Sequence, residues 1–183
     1  MSAEVYRAVL DATNRMLEAT RVGELTINTI AKEAGVSRPA IYRRWSTPRE
    51  IALEAFLQST SEAVTAPICD TSSEVLKAYI LALTRFMRGR GGRIIAELLG
   101  EAQNDPELLT LFHERFLDSR REHGRGLIER GMESGEFDPK LDIGLMIDLY
   151  AGPIYYRALS AHAELTDDFA HELGACVCKA LRR

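Results

Sequence analysis

Residues 25–45, LTINTIAKEAGVSRPAIYRRW, constrain this chain more than any other stretch, because they prescribe two short helices, the turn between them and the contact that locks them. Thr26 is placed to cap a helix whose inward side carries Ile27, Ile30, Ala31 and Ala34 at helical spacing. Gly35 ends that helix, since glycine takes up the left-handed backbone of a sharp turn without steric cost. Val36 then plugs the angle between the helices, Ser37 stands at the next cap and Pro39 in the next first turn. Small Ala31 lets the two helices approach, while Ile41 and Trp45, four apart, face inward. At about 100° per residue the opposite arc carries Pro39, Ala40, Tyr42 and Arg43, flanked by Arg38 and Arg44. Guanidinium groups and a phenol on such a helix suit guanine edges and phosphates in a major groove. A hairpin with a merely solvated basic face is the alternative. Agreement of cap, turn, small residue, plug and basic tip in one register favours DNA reading.

On these residues, positions 5–56 resemble the tetracycline-repressor (TetR) family of transcriptional regulators, whose DNA-binding unit follows T-x-x-x-I-A-x-x-A-G-V-S-x-x-x-I-Y-x-x-[FW]. Thr26, Ile30, Ala31, Ala34, Gly35, Val36, Ser37, Ile41, Tyr42 and Trp45 fill that pattern. Family members often carry a phosphate-touching lysine where this chain has Pro48, and Arg49 is expected to take over that contact. The resemblance implies an all-α fold, with a three-helix DNA-binding unit at 1–48 and a larger helical ligand-binding and dimerisation domain at 49–183. It also implies a ligand-responsive regulator, most often a repressor, that acts as a homodimer on an inverted-repeat DNA operator without a cofactor or metal. The expected DNA contacts are Thr26, Asn28, Ser37, Arg38, Pro39, Ala40, Tyr42, Arg43, Arg44 and Arg49.

Charge fits a local contact rather than a general affinity for nucleic acid. The 183 residues carry a net charge of −4, but residues 1–50 hold eight basic against six acidic side chains, a net +2, which leaves −6 for the remainder. With 46% hydrophobic residues, the chain can bury a real core. No amino-terminal segment joins a positive start, an apolar run and a small-residue cleavage site, and the three cysteines, Cys69, Cys176 and Cys178, are an odd number. Both features lead to the expectation of a cytoplasmic protein. Cys176 and Cys178 are read as packed helix residues rather than a thiol sensor or soft-metal pair.

The rest reads as helix. Val5, Val9, Ala12 and Met16 mark a first helix ending near Val22-Gly23, and Thr47-Pro48-Arg49-Glu50 opens a fourth with a capping box. That helix runs through Ile51, Leu53, Phe56 and Leu57 to a loop at 66–73. Leu76 to Phe86 mark the next helix, with a glycine loop at Gly89–Gly92 and a short helix after it. Asp105-Pro106 opens a longer helix, expected to bend at Gly124 or Gly126 and to close at Gly135. The stretch from Leu141 to Leu159 is apolar around most of its circumference, which predicts burial on several sides. A membrane span is the rival reading, but Asp142, Asp148 and Arg157 interrupt or flank the run.

Large side chains in the middle helices, Leu83, Phe86, Met87, Phe112, Phe116, Tyr150 and Tyr155, are the candidate ligand pocket, with ordinary core packing as the bland alternative for each. Met146, Leu149, Gly152, Pro153, Tyr156, Leu173 and Val177, on the last two helices, are the candidate dimer interface. Two non-DNA readings compete: an acidic helical interaction protein, and a helical enzyme using His113. Catalysis finds little support, since the four histidines lack a metal-ligand motif and His113 and Glu114, adjacent on a helix, point apart.

Overall fold

The computed structural model describes residues 2–60, 64 and 69–182, and among these every regular element is helical. In chain order the helices are α1 (Ala3–Met16), α2 (Ile27–Ala34), α3 (Arg38–Tyr42), α4 (Pro48–Thr60), α5 (Ser72–Arg88), α6 (Arg90–Ala102), α7 (Pro106–Phe112), α8 (Asp118–Glu133), α9 (Ile143–Ser160) and α10 (Asp167–Leu181). The chain divides into two compact units, Met1–Ser61 with Ile94–Phe116, and Glu62–Arg93 with Leu117–Arg183. These units do not follow a division at residue 48, because α4 packs on α1 and on α7.

In the first unit α1 stops at Met16, six residues before the expected end, and a single 3-10 turn, Val22–Glu24, follows. The Val22 amide is held by the Glu97 carboxylate at 2.7 Å, which secures the chain where the helix has ended. The buried stripe of α1 is Val9, Leu10, Ala12 and Thr13, with Leu17 beyond it, and Val5 and Met16 are only half-buried. Thr13 is tolerated inside because its hydroxyl donates to the Val9 carbonyl at 2.8 Å. Thr47 caps α4 by accepting from the Glu50 amide at 3.2 Å, and the Glu50 carboxylate accepts in return from the Thr47 hydroxyl at 3.3 Å and from the Ser46 amide at 3.0 Å. Ile51, Ala52, Leu53, Ala55 and Phe56 of α4 are all buried.

The second unit is built around α5, which packs against α8, α9 and α10. Of the expected loop at 66–73, residues 66–68 lie outside the described residues, and α5 already begins at Ser72. Its start is capped twice. Thr71 accepts from the Glu74 amide, and the distant Glu136 accepts from the amides of Ser72 and Ser73 at 2.7 and 3.0 Å. Gly91 and Gly92 are not a loop but lie in the first turn of α6, buried. A Cβ on Gly91 would enter the Phe86 ring, and one on Gly92 the Met87 carbonyl, so close approach of two successive helices is what requires them.

The long helix expected after Pro106 is interrupted elsewhere than foreseen. A π-helical turn, His113–Leu117, separates α7 from α8, and Gly124 lies within α8, buried where a side chain would meet the Tyr150 hydroxyl. Gly135 has φ +77°, the left-handed backbone expected of it at the end of this segment. In α9, capped by Asp142 through the Leu145 amide, Met146, Ile147, Tyr150 and Ile154 are buried. Burial is on one side only, as Leu145, Leu149, Tyr156 and Leu159 are 60, 39, 64 and 50% exposed. No helix among the described residues is long and apolar enough to cross a membrane.

Candidate nucleic-acid interface

The interface is assembled by local bonds. The Thr26 hydroxyl accepts from the Thr29 amide at 3.1 Å, and the Thr29 side chain returns a bond from the Thr26 amide, so two of the free amides at the start of α2 are satisfied. Gly35 stands at φ +67°, and its neighbour Val36 donates to the Ala31 carbonyl at 3.0 Å, turning the chain sharply. Ser37 has the extended backbone of a cap, but its side chain makes no capping bond to α3. Ile41 and Trp45 are 0 and 2% exposed and form the inward face, with Ala31 beneath them at 6%.

α3 itself covers only five residues. Tyr42 is 59% exposed, and Arg38, Pro39 and Arg43 are exposed. Arg38 donates to the Asn28 amide oxygen at 3.2 Å, which ties the first residue of α3 to the exposed side of α2 and brings two expected DNA contacts together. Thr26 and Ser37 are also exposed. Three other expected contacts are placed differently. Ala40 is buried, at 7% exposure, because its methyl does not reach beyond the side chains around it. Arg44 donates to Glu54 at 3.1 Å and lies 4.5 Å over the Tyr6 ring, and Arg49 is engaged by Glu101.

Two residues of this region have no local sequence signature. Glu54 accepts from the Tyr6 hydroxyl at 2.8 Å, from the Trp45 indole and from Arg44. Burial would raise its carboxyl, but the donors from Trp45, Tyr6 and Arg44 outweigh burial and hold it below the usual carboxylate range. Tyr6 stacks on Trp45 at 5.8 Å with an interplanar angle of 11°. The available signal was a charge set among five apolar neighbours on α4, which demands partners.

The expected ligand-pocket residues fall in both units. In the first, Phe112 and Phe116 pack ring to ring at 5.1 Å, with Phe56 5.9 Å from Phe116, and both are almost fully buried. Leu83, Met87 and Tyr150 are buried in the second, where Phe86 and Tyr155 are half-buried. Tyr150 meets Tyr79 edge-on at 5.9 Å, and Tyr79 lies 4.9 Å from the His123 ring. Burial pushes the hydroxyls of Tyr79 and Tyr150 up and that of Tyr155 to about 12, so all three remain protonated donors near neutral pH.

Of the expected interface residues, Leu149, Gly152 and Tyr156 are exposed, and Pro153 and Leu173 are half-buried. Met146 and Val177 are already buried within their own unit, at 6 and 1% exposure, so they are core of one chain rather than surface. Leu145 and Leu159 continue the exposed stripe and were not anticipated. His113, on the π-helical turn, is exposed, and the described residues contain no group of three or more His, Cys, Asp or Glu that could hold a metal.

Comparison with known proteins bears on what this arrangement belongs to. Residues 9–55 match the family described as bacterial regulatory proteins, tetR family, and residues 72–177 match the tetracyclin repressor-like C-terminal domain. The chain is 33% identical over 168 residues to the HTH-type transcriptional regulator YdeS of Bacillus subtilis, covering 92% of this chain and 85% of that protein. It is 26% identical over 172 residues to the HTH-type transcriptional regulator AqdR of Rhodococcus erythropolis, covering 93% and 82%. The crystal structure of the TetR family transcription regulator SCO0332 superposes with a TM-score of 0.84 at 27% identity, over 98% of this chain and all of that one. With both halves matched and the reader built as the family pattern requires, the chain belongs to the TetR family of helix-turn-helix, DNA-binding transcriptional regulators, which are not enzymes.

Proposed function

We propose that this regulator is a cytoplasmic repressor that binds an inverted-repeat operator as a homodimer and is released by a small, largely apolar molecule. The observation that carries the reading is the exposed stripe on α9. At about 100° per residue, Leu145, Leu149, Gly152, Tyr156 and Leu159 fall within an arc of about 80°, opposite the buried Ile147 and Ile154. Four large apolar side chains held in water on one rigid face favour a covering partner, and a second copy offers the same face in return. A two-fold pair carries two α3 helices, which fits an inverted repeat with half-site centres about 34–36 Å apart or a multiple of that.

At each half-site Arg43 and Tyr42 would meet the groove most directly. Arg38 with Asn28 would flank them, and Pro39 would pack on thymine methyl groups. Thr26 and Ser37, at the helix starts, would face the phosphates. For the effector, the protonated tyrosine hydroxyls of the second unit, which also buries Leu83 and Met87, favour an apolar molecule with one or two hydrogen-bond acceptors. Such a molecule releases DNA only to the extent that it binds the non-DNA conformation better.

Sequencing the duplexes that the pure protein retains from a random pool, with light scattering on the same sample, tests the reading. An inverted repeat bound by a dimer is the expected result. A monomer at micromolar concentration that binds a lone half-site tightly overturns it.

A further inference from the structure

Glu54 is the charged residue of α4 that lies in the midst of its buried run, with Leu53 and Ala55 on either side almost fully buried and its own side chain only 14% exposed. A carboxylate in such a wall persists only when its lone pairs are filled. Here donors come from two separate places in the first unit, Tyr6 on α1 and Arg44 and Trp45 just beyond α3, and Arg115 on the π-helical turn adds a longer ion pair at 3.7 Å. Arg44, Tyr6 and Trp45 are also layered on one another, with the guanidinium 4.5 Å over the Tyr6 ring and that ring parallel to the indole. One carboxylate therefore holds both residues that immediately follow Arg43.

α3 needs such a hold. A helix of five residues does not persist through its own hydrogen bonds, so the direction in which Tyr42 and Arg43 point must be imposed from outside. Ile41 and Trp45 anchor the helix inward, and the Trp45 ring, stacked on Tyr6, is tied to the body of the unit by the indole N–H that it gives to Glu54.

We propose that Glu54 is the positioning residue of the DNA reader, and that Arg44 serves as part of this clamp rather than as a phosphate contact. The proposal rests on α3 being the element that enters the groove. It carries a distinctive sign. Removing the carboxylate loosens the reader, which weakens selective binding. It also takes one negative charge from the head, which strengthens attraction to any phosphate backbone. A purely structural role lowers both kinds of binding, and a purely electrostatic role raises both.

The experiment compares full-length protein and Glu54→Gln on two duplexes of equal length, one carrying the sequence selected from the random pool and one of scrambled sequence, by fluorescence anisotropy at fixed salt. The expected result is an operator affinity about tenfold lower, with scrambled-duplex affinity unchanged or higher. Unchanged preference, or equal loss on both duplexes with unaltered circular dichroism, overturns the proposal. If Glu54→Gln loses helical content, Tyr6→Phe takes its place. It removes one hydrogen bond and keeps the ring, and it should lower operator preference about two- to fivefold. No change in preference there also overturns the proposal. Arg43→Ala separates this from the reading it rests on. If Arg43→Ala leaves the preference intact, α3 is not the reader; if it abolishes the preference while Glu54→Gln does not, the clamp alone is wrong.

Discussion

Both α3 and α9 hold side chains out into solvent, and the two surfaces have opposite chemistry. α3 offers Arg38, Tyr42 and Arg43, groups that water solvates well and that can wait indefinitely for a polyanion. α9 offers Leu145, Leu149, Tyr156 and Leu159, whose exposure is unfavourable at every moment it lasts. A charged surface can be regulated by whether its partner is present, whereas an apolar one of this size calls for a standing partner. On the proposed reading, α3 makes a reversible contact and α9 a permanent one.

The sharpest way to break that contrast is to charge the α9 stripe. A Cβ on Gly152 has open space around it, so Gly152→Glu leaves the single chain intact. It should yield monomers by light scattering and abolish operator binding, with helical content unchanged; a dimer that still binds would end the assignment of α9. Salt sharpens the contrast next. Between about 50 and 200 mM, operator affinity should fall at least tenfold while the dimer mass stays constant, since only the phosphate contacts release counterions. Arg43→Ala should cost about 1–3 kcal/mol of operator affinity and relax preference at one base pair per half-site, read from the sequences that the variant selects.

Acid should act on both units through hydrogen-bonded carboxylates. In Glu136, as in Glu54, burial would raise the carboxyl, but hydrogen bonds, here from the Ser72 and Ser73 amides, hold it below the usual 4.5. A depressed folded value means that the contribution to stability is complete above about 4.5 and is lost as pH falls through the folded values. Urea midpoints should therefore drop on acidification below that point, and less steeply in a Glu54→Gln, Glu136→Gln variant. The smallest effect belongs to Arg49→Ala. It removes a part-exposed ion pair with Glu101, worth about 0.2–1 kcal/mol by thermal melts, and should leave the selected DNA sequence unchanged.

The head was legible because its determinants are local. Thr26, Ala31, Gly35 and Ile41 act within a span of 16 residues, and each has one physical role that the residue type announces. The end of α1 was not, because nothing between Leu17 and Val22 breaks a helix; the chain leaves it for a carboxylate 75 residues away. Gly91 and Gly92 look like loop residues when read alone, and only the facing Phe86 and Met87 reveal close packing instead. The engagement of Arg44 and of Arg49 shares a cause. An angular plot of one helix knows nothing of Tyr6, Glu54 or Glu101, which arrive from elsewhere in the chain. Met146 and Val177 were assigned to an interface for the same reason, since apolar character does not say which neighbour provides the cover.

The bond from Glu136 to the start of α5 also has a consequence in time. The Ser72 amide and the carboxylate it meets are 64 residues apart, so a ribosome adding about 5–20 residues per second needs roughly 3 to 13 s to deliver the second after the first. During that interval Thr71 alone can start the helix, and the first two amides of α5 are left to water. The nascent chain thus carries α5 with an unfinished end until the segment after α8 emerges, and that end is closed before α9 and α10, which also pack on α5, have been made.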